Sequence, residues 1–372
     1  MKKVGIYVHI PFCKQKCKYC DFVSFENQFE WQEDYINSVL QEIENCDKKG
    51  FQVNTIYFGG GTPSSISEEW IVKISNKIKE KFDVAENVEA TIEVNPGTVN
   101  ETKLIAYRKA GFNRISIGLQ SSQEKILKAI GRIHTYEEFE NCFKMAKKAG
   151  FANINVDLML ALPNQTRQDL EESLKKVIHL NPNHISLYSL ILEENTPLGK
   201  EVISGLLHLP TDEEERKMYH VTKKILENNG YMHYEISNFA KKGYESKHNL
   251  NCWNQEEYLG FGLASHSYFD KKRFSNTTNL QKYIESQEEN IEINEIQTDE
   301  MQKKEYMMLG LRKIQGVSVS EFERKFQINP LFYFRFEISK LVEEELIEVD
   351  LDTISLTKKG LDFANLVFEE FI

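Results

Sequence analysis

The sequence predicts an α/β fold, a parallel sheet of six β–α units curled into a partial barrel, with a small winged-helix-like α+β domain appended. Three observations predict it. Apolar, β-rich runs alternate six times with amphipathic stretches of helical period, the pattern of parallel strands joined by right-handed helical crossovers. The chemically unusual residues fall just after the predicted strands, where a barrel carries its site. From Glu300 onward the order changes to helices and a hairpin.

Strands are expected at about 4–10, 55–58, 88–94, 114–118, 153–160 and 185–192, with helices such as 31–46 and 67–82 between them. Three cysteines follow the first strand and Gly59-Gly60-Gly61-Thr62-Pro63 the second. Glu93, Asn95 and Pro96 close the third, Gln120 and Ser121 the fourth, Pro163 and Gln165 the fifth. Five strand ends agreeing on one face is the argument for a barrel over a doubly wound sheet. The chain divides into the barrel with its cysteine loop at 1–200, a barrel-completing segment at 201–275, an acidic connector at 276–299 and a C-terminal domain at 300–372. In the last, Ser320 and Glu323 have capping-box spacing and Asp350-Leu351-Asp352 reads as a hairpin turn.

The 372 residues are 41% hydrophobic and 28% charged, enough apolar content for one large core and a satellite domain. No apolar run approaches the ~20 residues of a membrane span, and the first 13 residues are too polar for a secretory segment. A cytoplasmic location is expected. The formal net charge of −11 disfavours nucleic acid as a partner. The winged-helix-like region also carries ten basic against fourteen acidic residues, so it reads as a docking or structural module.

Of six cysteines, Cys13, Cys17 and Cys20 crowd into one loop. Cys46 and Cys142 fall on apolar helical faces and read as buried small hydrophobes. Three thiolates can hold three corners of a [4Fe–4S] cubane and leave the fourth iron open to the amino and carboxylate groups of a small molecule. The rival is zinc, with His9 completing a Cys3His set. Structural zinc sites usually draw on two separated ligand pairs, which favours the cluster. The glycine run lets backbone approach a ligand, its N–H groups suiting a carboxylate and its carbonyls an ammonium. Glu93, Gln120, Arg132 and Asp157 add the acceptors a ribose diol needs and the fork a carboxylate needs. Each of these four also fits a surface salt bridge or cap.

Ile6-Tyr7-Val8-His9-Ile10-Pro11-Phe12-Cys13, with Cys-x3-Cys-x2-Cys, resembles the radical S-adenosylmethionine superfamily. Within it the chain is similar to the group of oxygen-independent coproporphyrinogen III oxidases and heme chaperones. The likeness runs through Glu93-Val94-Asn95-Pro96, Asn113 to Ser121, Gly131-Arg132-Ile133-His134, Asn155 to Thr166, Tyr234 to Phe239 and Leu309-Gly310-Leu311-Arg312. It implies a partial (β/α)6 TIM-like barrel of the radical SAM type. It also implies S-adenosylmethionine contacts at Tyr7, Tyr19, Gly60, Gly61, Thr62, Glu93, Gln120, Arg132 and Asp157. Tyr7 and Tyr19 rest on the resemblance alone.

The oxidases of the group carry a further cysteine two residues after the third and a longer lead segment. Here Phe22 holds that position and twelve residues precede Cys13, as in the chaperones. His248-Asn249-Leu250-Asn251-Cys252-Trp253 matches their heme-associated His-Asn-x-x-Tyr-Trp motif except at Cys252. That leaves His248 or Cys252 as iron ligand, against a reading of His248 and Trp253 as packing residues. Ala161 stands where the group usually has glycine.

The resemblance thus implies heme binding and transfer to a respiratory hemoprotein, with the cluster and S-adenosylmethionine as cofactors. Unidentified electron and heme donors, a transient membrane-protein contact and a homodimer come with it. The alternative is radical decarboxylation of coproporphyrinogen III to protoporphyrinogen IX. A radical enzyme acting on RNA is the third reading, and the acidic charge opposes it.

Overall fold

The computed structural model describes residues 1–286 and 290–372, with side chains at all of these but 293 and 294. Six parallel strands form its centre: β1 Lys2–Ile10, β2 Phe51–Gly60, β3 Val84–Val94, β4 Arg114–Gln120, β5 Asn153–Leu160 and β6 His184–Ser189. They pair in sequence order, each parallel to the next. The last ends sooner than its apolar run, because its pairing with β5 stops at Leu160–Ser189. Helices Gln32–Asn45, Glu68–Lys81, Glu101–Lys109, Tyr136–Lys148 and Arg167–Leu180 lie among the crossovers. Their starts are fixed chemically: Thr135 and Thr166 head capping boxes, and Asn100 and Ser67 accept backbone N–H bonds.

The strands alternate with a period of two, and their two faces have different jobs. Residues such as Val8, Phe58, Ile92, Ile117, Val156 and Ile185 are fully buried in the main core with the helices. The residues between them point to the concave side and are polar: Tyr57, Glu93, Arg114, Ser116, Asn155, Asp157 and Ser186 line one cavity there. A fully closed small barrel would fill this interior with branched apolar side chains. Here a polar lumen is retained, as a site for a polar ligand requires.

Later segments extend both edges. Of strands β7 Met232–Glu235 and β8 Asn238–Ala240, β8 adds antiparallel to β6 and β7 antiparallel to β8. On the other edge β9 Tyr258–Phe261 runs parallel to β1, followed by β10 His266–Phe269, β11 Lys272–Asn276 and β12 Ile291–Ile296, all antiparallel. The order is β12-β11-β10-β9-β1-β2-β3-β4-β5-β6-β8-β7. The acidic stretch 276–299, expected as a connector, carries helix Leu280–Glu285 and the edge strand β12, while its residues 287–289 lie outside the described residues.

The C-terminal domain has its own core around Met307, Phe322, Ile354 and Val367. Its strands β13 Val317–Ser318, β14 Ile347–Asp350 and β15 Thr353–Leu356 form a small sheet, with the hairpin turn at Leu351-Asp352. The expected cap is displaced by two residues. Ser318, not Ser320, caps helix Val319–Phe326, its hydroxyl accepting from Glu321 N–H at 3.1 Å, while the hydroxyls of both serines donate to Asp352 at 2.8 Å. Ile236 N–H donates to Arg312 O at 3.1 Å and Ile314 N–H to Tyr234 O at 3.1 Å, tying this domain to the barrel edge. Among the described residues no helix is long and apolar enough to cross a membrane.

Candidate functional site

The cysteine loop leaves β1 and is pinned at several points over the C-terminal strand ends. Phe12–Cys13 pairs parallel with Phe25–Glu26, Lys18 N–H donates to Ile130 O at 3.0 Å, and Leu198 N–H donates to Lys18 O at 2.9 Å. Gly131, at φ +76°, leaves room for the Lys18 backbone, which a Cβ would meet at 3.1 Å. All three cysteines line a cavity of about 440 Å³, within the range of small-molecule sites.

Tyr19, Gly60, Gly61, Thr62, Glu93, Gln120, Arg132 and Asp157 line the same cavity, so side chains from four strand ends and the loop meet there. Tyr7 stands apart: it packs on Tyr57, ring centroids 6.3 Å apart, and its hydroxyl lies 3.1 Å from His9 Nδ1. Among residues that the sequence reading did not single out, Tyr57, Arg114, Asn155 and Tyr188 also line it. The signal for the middle two was available, since polar residues alternate with apolar ones along β4 and β5.

The glycine strip is laced to the loop. Gly61 N–H donates to Ile10 O and Thr62 N–H to Phe12 O, both at 2.9 Å. These N–H groups are therefore not open to a ligand carboxylate, a correction to the expectation; the strip offers bare backbone faces and carbonyls. Gly60 has φ +109°, and a Cβ there would lie 2.6 Å from the His9 ring. At Gly61 a Cβ would meet Cys13 Sγ at 3.1 Å. Both positions need glycine for lack of space.

Arg132 is braced by Asn95 Oδ1 at 2.8 Å and Gly118 O at 2.5 Å, and its Nη1 donates to Cys17 Sγ at 3.4 Å. Its Nε is buried without a partner. Tyr57 donates to Glu93 Oε1 at 2.7 Å, while burial pushes the Glu93 carboxyl up to about 7. Asp157 is also raised by burial, against the hydrogen bonds it accepts from Ser116 and Asn155 at 2.8 and 2.7 Å. Gln120 sits at φ +68° and Ala161 at φ +59°. Glycine adopts the left-handed region without the cost an alanine carries.

The donor set fits an iron–sulfur cluster. Three sulfurs share one cavity, with Thr62 Oγ1 3.5 Å from Cys13 Sγ and Arg132 on Cys17, hydrogen-bond donors of the kind that tune cluster thiolates. The zinc alternative loses its fourth ligand. His9 Nε2 is 2.8 Å from Val23 O and its Nδ1 faces Tyr7, so both ring nitrogens are engaged.

His248 and Cys252 lie on helix Lys247–Trp253, inside the barrel-completing segment. The His248 ring stacks on Tyr57 with centroids 5.1 Å apart, and its Nδ1 is 3.0 Å from Thr55 Oγ1 on β2. Burial lowers its basicity to about 4. Cys252 contributes instead to a second cavity of about 700 Å³, between the β6–β8 edge and the C-terminal helices. Tyr188, Ser189, Leu190, Ile191 and Asn249 line both cavities, so the two share a wall.

A model of the radical SAM superfamily matches residues 7–177, and one of the HemN C-terminal domain matches 298–363. The heme chaperone HemW of Lactococcus lactis is 37% identical over 372 residues, covering 100% of this chain and 98% of that protein. The heme chaperone HemW of Bacillus subtilis is 38% identical over 373 residues, covering 98% of each. In fold, the coproporphyrinogen III oxidase HemN of Escherichia coli superposes with a TM-score of 0.88 at 22% identity, covering 100% of this chain and 90% of that one. With relatives of this identity over nearly their whole length, the chain belongs to the HemW family within the radical SAM superfamily.

Proposed function

We propose that this chain binds heme and hands it to hemoproteins of the respiratory chain, using a [4Fe–4S] cluster on Cys13, Cys17 and Cys20 and S-adenosylmethionine beside it. The observation that carries the reading is the shared wall: a cluster-type cavity and a larger groove meet at Tyr188–Ile191 and Asn249. A ligand that favours one arrangement of that wall changes affinity on the other side by its differential binding. When bound, the cluster supplies an open iron corner and an electron source. This chain's residues do the holding. Arg132, whose Nη2 is held by Asn95 and Gly118 and whose Nη1 bonds Cys17, offers its unpartnered Nε–H to a carboxylate, the Gly60–Gly61 backbone offers carbonyls to an ammonium, and Glu93, Gln120 and Asp157 offer acceptors to a ribose diol. Tyr19 packs at the loop, and Tyr7 supports Tyr57 from behind.

For the heme iron, Cys252 is favoured over His248, because Cys252 forms part of the groove wall while His248 is engaged with Thr55 and Tyr57. The relatives carry the name heme chaperone, which supports heme as cargo. A cytoplasmic protein that meets its acceptor transiently at the membrane, with separate donors of heme and electrons and a homodimeric resting form, completes the reading.

The test is anaerobic reconstitution with iron and sulfide followed by hemin titration, with absorbance and EPR recorded at each stage. Expected are cluster signals that shift with S-adenosylmethionine, and saturable heme binding whose spectrum changes in Cys252→Ala and not in His248→Ala. A sound cluster without stoichiometric heme binding, or turnover of coproporphyrinogen III to protoporphyrinogen IX, would overturn the chaperone reading.

A further inference from the structure

Arg114 opens β4 with its side chain in the lumen, at the end of the strands away from the cysteine loop. It is 2% exposed and its Nε is buried without a partner. Among the described residues its guanidinium has no hydrogen bond, ion pair or aromatic contact. A cation in that state has given up hydration without gaining an acceptor, so its worth lies in the field it sets up.

The strand register aims that field. Along β4 the residues facing the cavity are Arg114, Ser116, Gly118 and Gln120. Ser116 lies beside Glu93 of β3, and Gly118 beside Asp157 of β5. Arg114 therefore sits one step below the first acid and two below the second, each step ~7 Å. Neither acid pairs with it. Glu93 accepts from Tyr57 at 2.7 Å, and Asp157 from Ser116 and Asn155 at 2.8 and 2.7 Å.

We propose that Arg114 is a positioning residue for S-adenosylmethionine: its unpaired charge keeps Glu93 and Asp157 as carboxylates, the form that accepts the hydroxyls of the ribose. The role rests on the reading of these two acids as ribose acceptors. Arg114 acts from behind them and does not touch the ligand.

Two observations carry it. Burial pushes both acids toward their protonated forms, and a protonated carboxyl turns one acceptor oxygen into a donor. The hydrogen bonds from Tyr57, Ser116 and Asn155 oppose this, and so does the Arg114 charge. The other titratable groups of the lumen floor carry no charge that could replace it. Burial keeps Tyr57, Tyr188 and Tyr234 neutral. Burial, helped by Arg114, also lowers the basicity of His184 and His248, the latter to about 4. Glu89 at the foot of β3 accepts from His248 N–H at 3.2 Å. Arg132 faces Asp157 from the loop end, where Asn95, Gly118 and Cys17 engage it, and Lys16 and Asp21 stand at the mouth.

The experiment measures S-adenosylmethionine affinity of the anaerobic, cluster-loaded full chain across pH, from the ligand-induced change in the cluster's EPR signal. Wild type is compared with Arg114→Gln, Arg114→Met and the charge-retaining Arg114→Lys. The ligand's own amino group titrates in the same range, and the ratio of variant to wild type at each pH cancels it. The neutral variants should bind roughly tenfold more weakly near about pH 6.5 and within about twofold of wild type near about pH 9, as one unit of carboxyl shift dictates. Arg114→Lys should follow wild type. In a background of Glu93→Gln with Asp157→Asn, Arg114→Gln should cost less than about twofold. A second readout needs no cofactor: infrared spectra of the cluster-free chain, with protonated carboxyl bands assigned by their loss in Glu93→Gln and Asp157→Asn. Those bands should persist to higher pH in Arg114→Gln. Removing an unpaired buried cation relieves a desolvation cost, and Arg114→Met serves if the Gln amide is not accommodated. A ratio flat with pH, an undiminished loss in the doubly substituted background, carboxyl bands that do not move, or Lys as damaging as Gln would overturn the role of Arg114 and leave the ribose reading standing. Affinity unchanged by Glu93→Gln with Asp157→Asn would overturn the ribose reading, and the role of Arg114 with it.

Discussion

The two cavities that meet at Tyr188–Ile191 are built from different kinds of sequence information. The smaller one is assembled from short motifs, each at a strand end: three cysteines in eight residues, three glycines in a row, an acid at the end of β3. The larger one is assembled from six stretches far apart in sequence: 187–191, helix Asp212–Asn228, 235–238, helix Lys247–Trp253, Arg312 and 361–368. A site concentrated in motifs depends on a few irreplaceable atoms. A site spread over six segments depends on the domains staying docked, and its contributions divide more evenly.

That contrast sets the order of effects. The largest belongs to the cysteine loop: Cys13→Ser, Cys17→Ser or Cys20→Ser should each abolish the cluster's visible absorbance after reconstitution, whereas Cys46→Ser, Cys142→Ser and Cys252→Ser should retain it. Retention in any of the first three would break the comparison. Next is Gly60→Ala, where a left-handed backbone and the His9 ring leave no room for a methyl group. It should lower stability by roughly 1–3 kcal/mol in urea unfolding and weaken S-adenosylmethionine more than it weakens porphyrin.

The smallest effect sharpens the comparison, because each region holds an acid pushed up by burial to about 7 from an ordinary 4.5, Glu93 at the cluster cavity and Glu235 at the groove. Between about pH 4.5 and 7 the folded chain keeps protons that the unfolded chain has released. Stability from these two groups is therefore fully present at low pH and falls as pH rises through 7. Glu93→Gln and Glu235→Gln should each flatten that fall by up to about 1 kcal/mol per pH unit in urea midpoints measured across the window. A slope unchanged in both variants would mean that both acids are ionised throughout.

The fold was largely legible because its alternation is simple. Six apolar runs became six parallel strands, and Ser67, Thr135 and Thr166 opened helices where cap chemistry directs. Misreadings arose where a distant group competed. Ser320 has the spacing of a cap, yet the helix begins at Val319 and Ser318 caps it, with Asp352 from the hairpin accepting from both hydroxyls. The glycine strip has free N–H groups only until Ile10 and Phe12 are folded against it. In the candidate site the cysteines, glycines, Glu93, Gln120, Arg132 and Asp157 were visible as local motifs or strand-end polar residues. Tyr57 was hidden within an apolar run, Arg114 and Asn155 show only in the alternation along β4 and β5, and Arg312 lies in the turn after helix Asp299–Gly310.

By itself the sequence determined the periodicities and the cysteine spacing, since these depend on neighbours within a few residues, whereas the lack of room for a Cβ at Gly60 and Gly61 comes from His9 and Cys13 folded against them. Tertiary structure alone decided that His248 and Cys252, one helical turn apart, serve different walls, and that Tyr219 and Arg312, nearly a hundred residues apart, line one groove. The reason is physical. Local hydrogen bonding and steric exclusion are encoded over a helical turn or a strand, whereas which charges stay unpaired is settled only when every surface has met its neighbour.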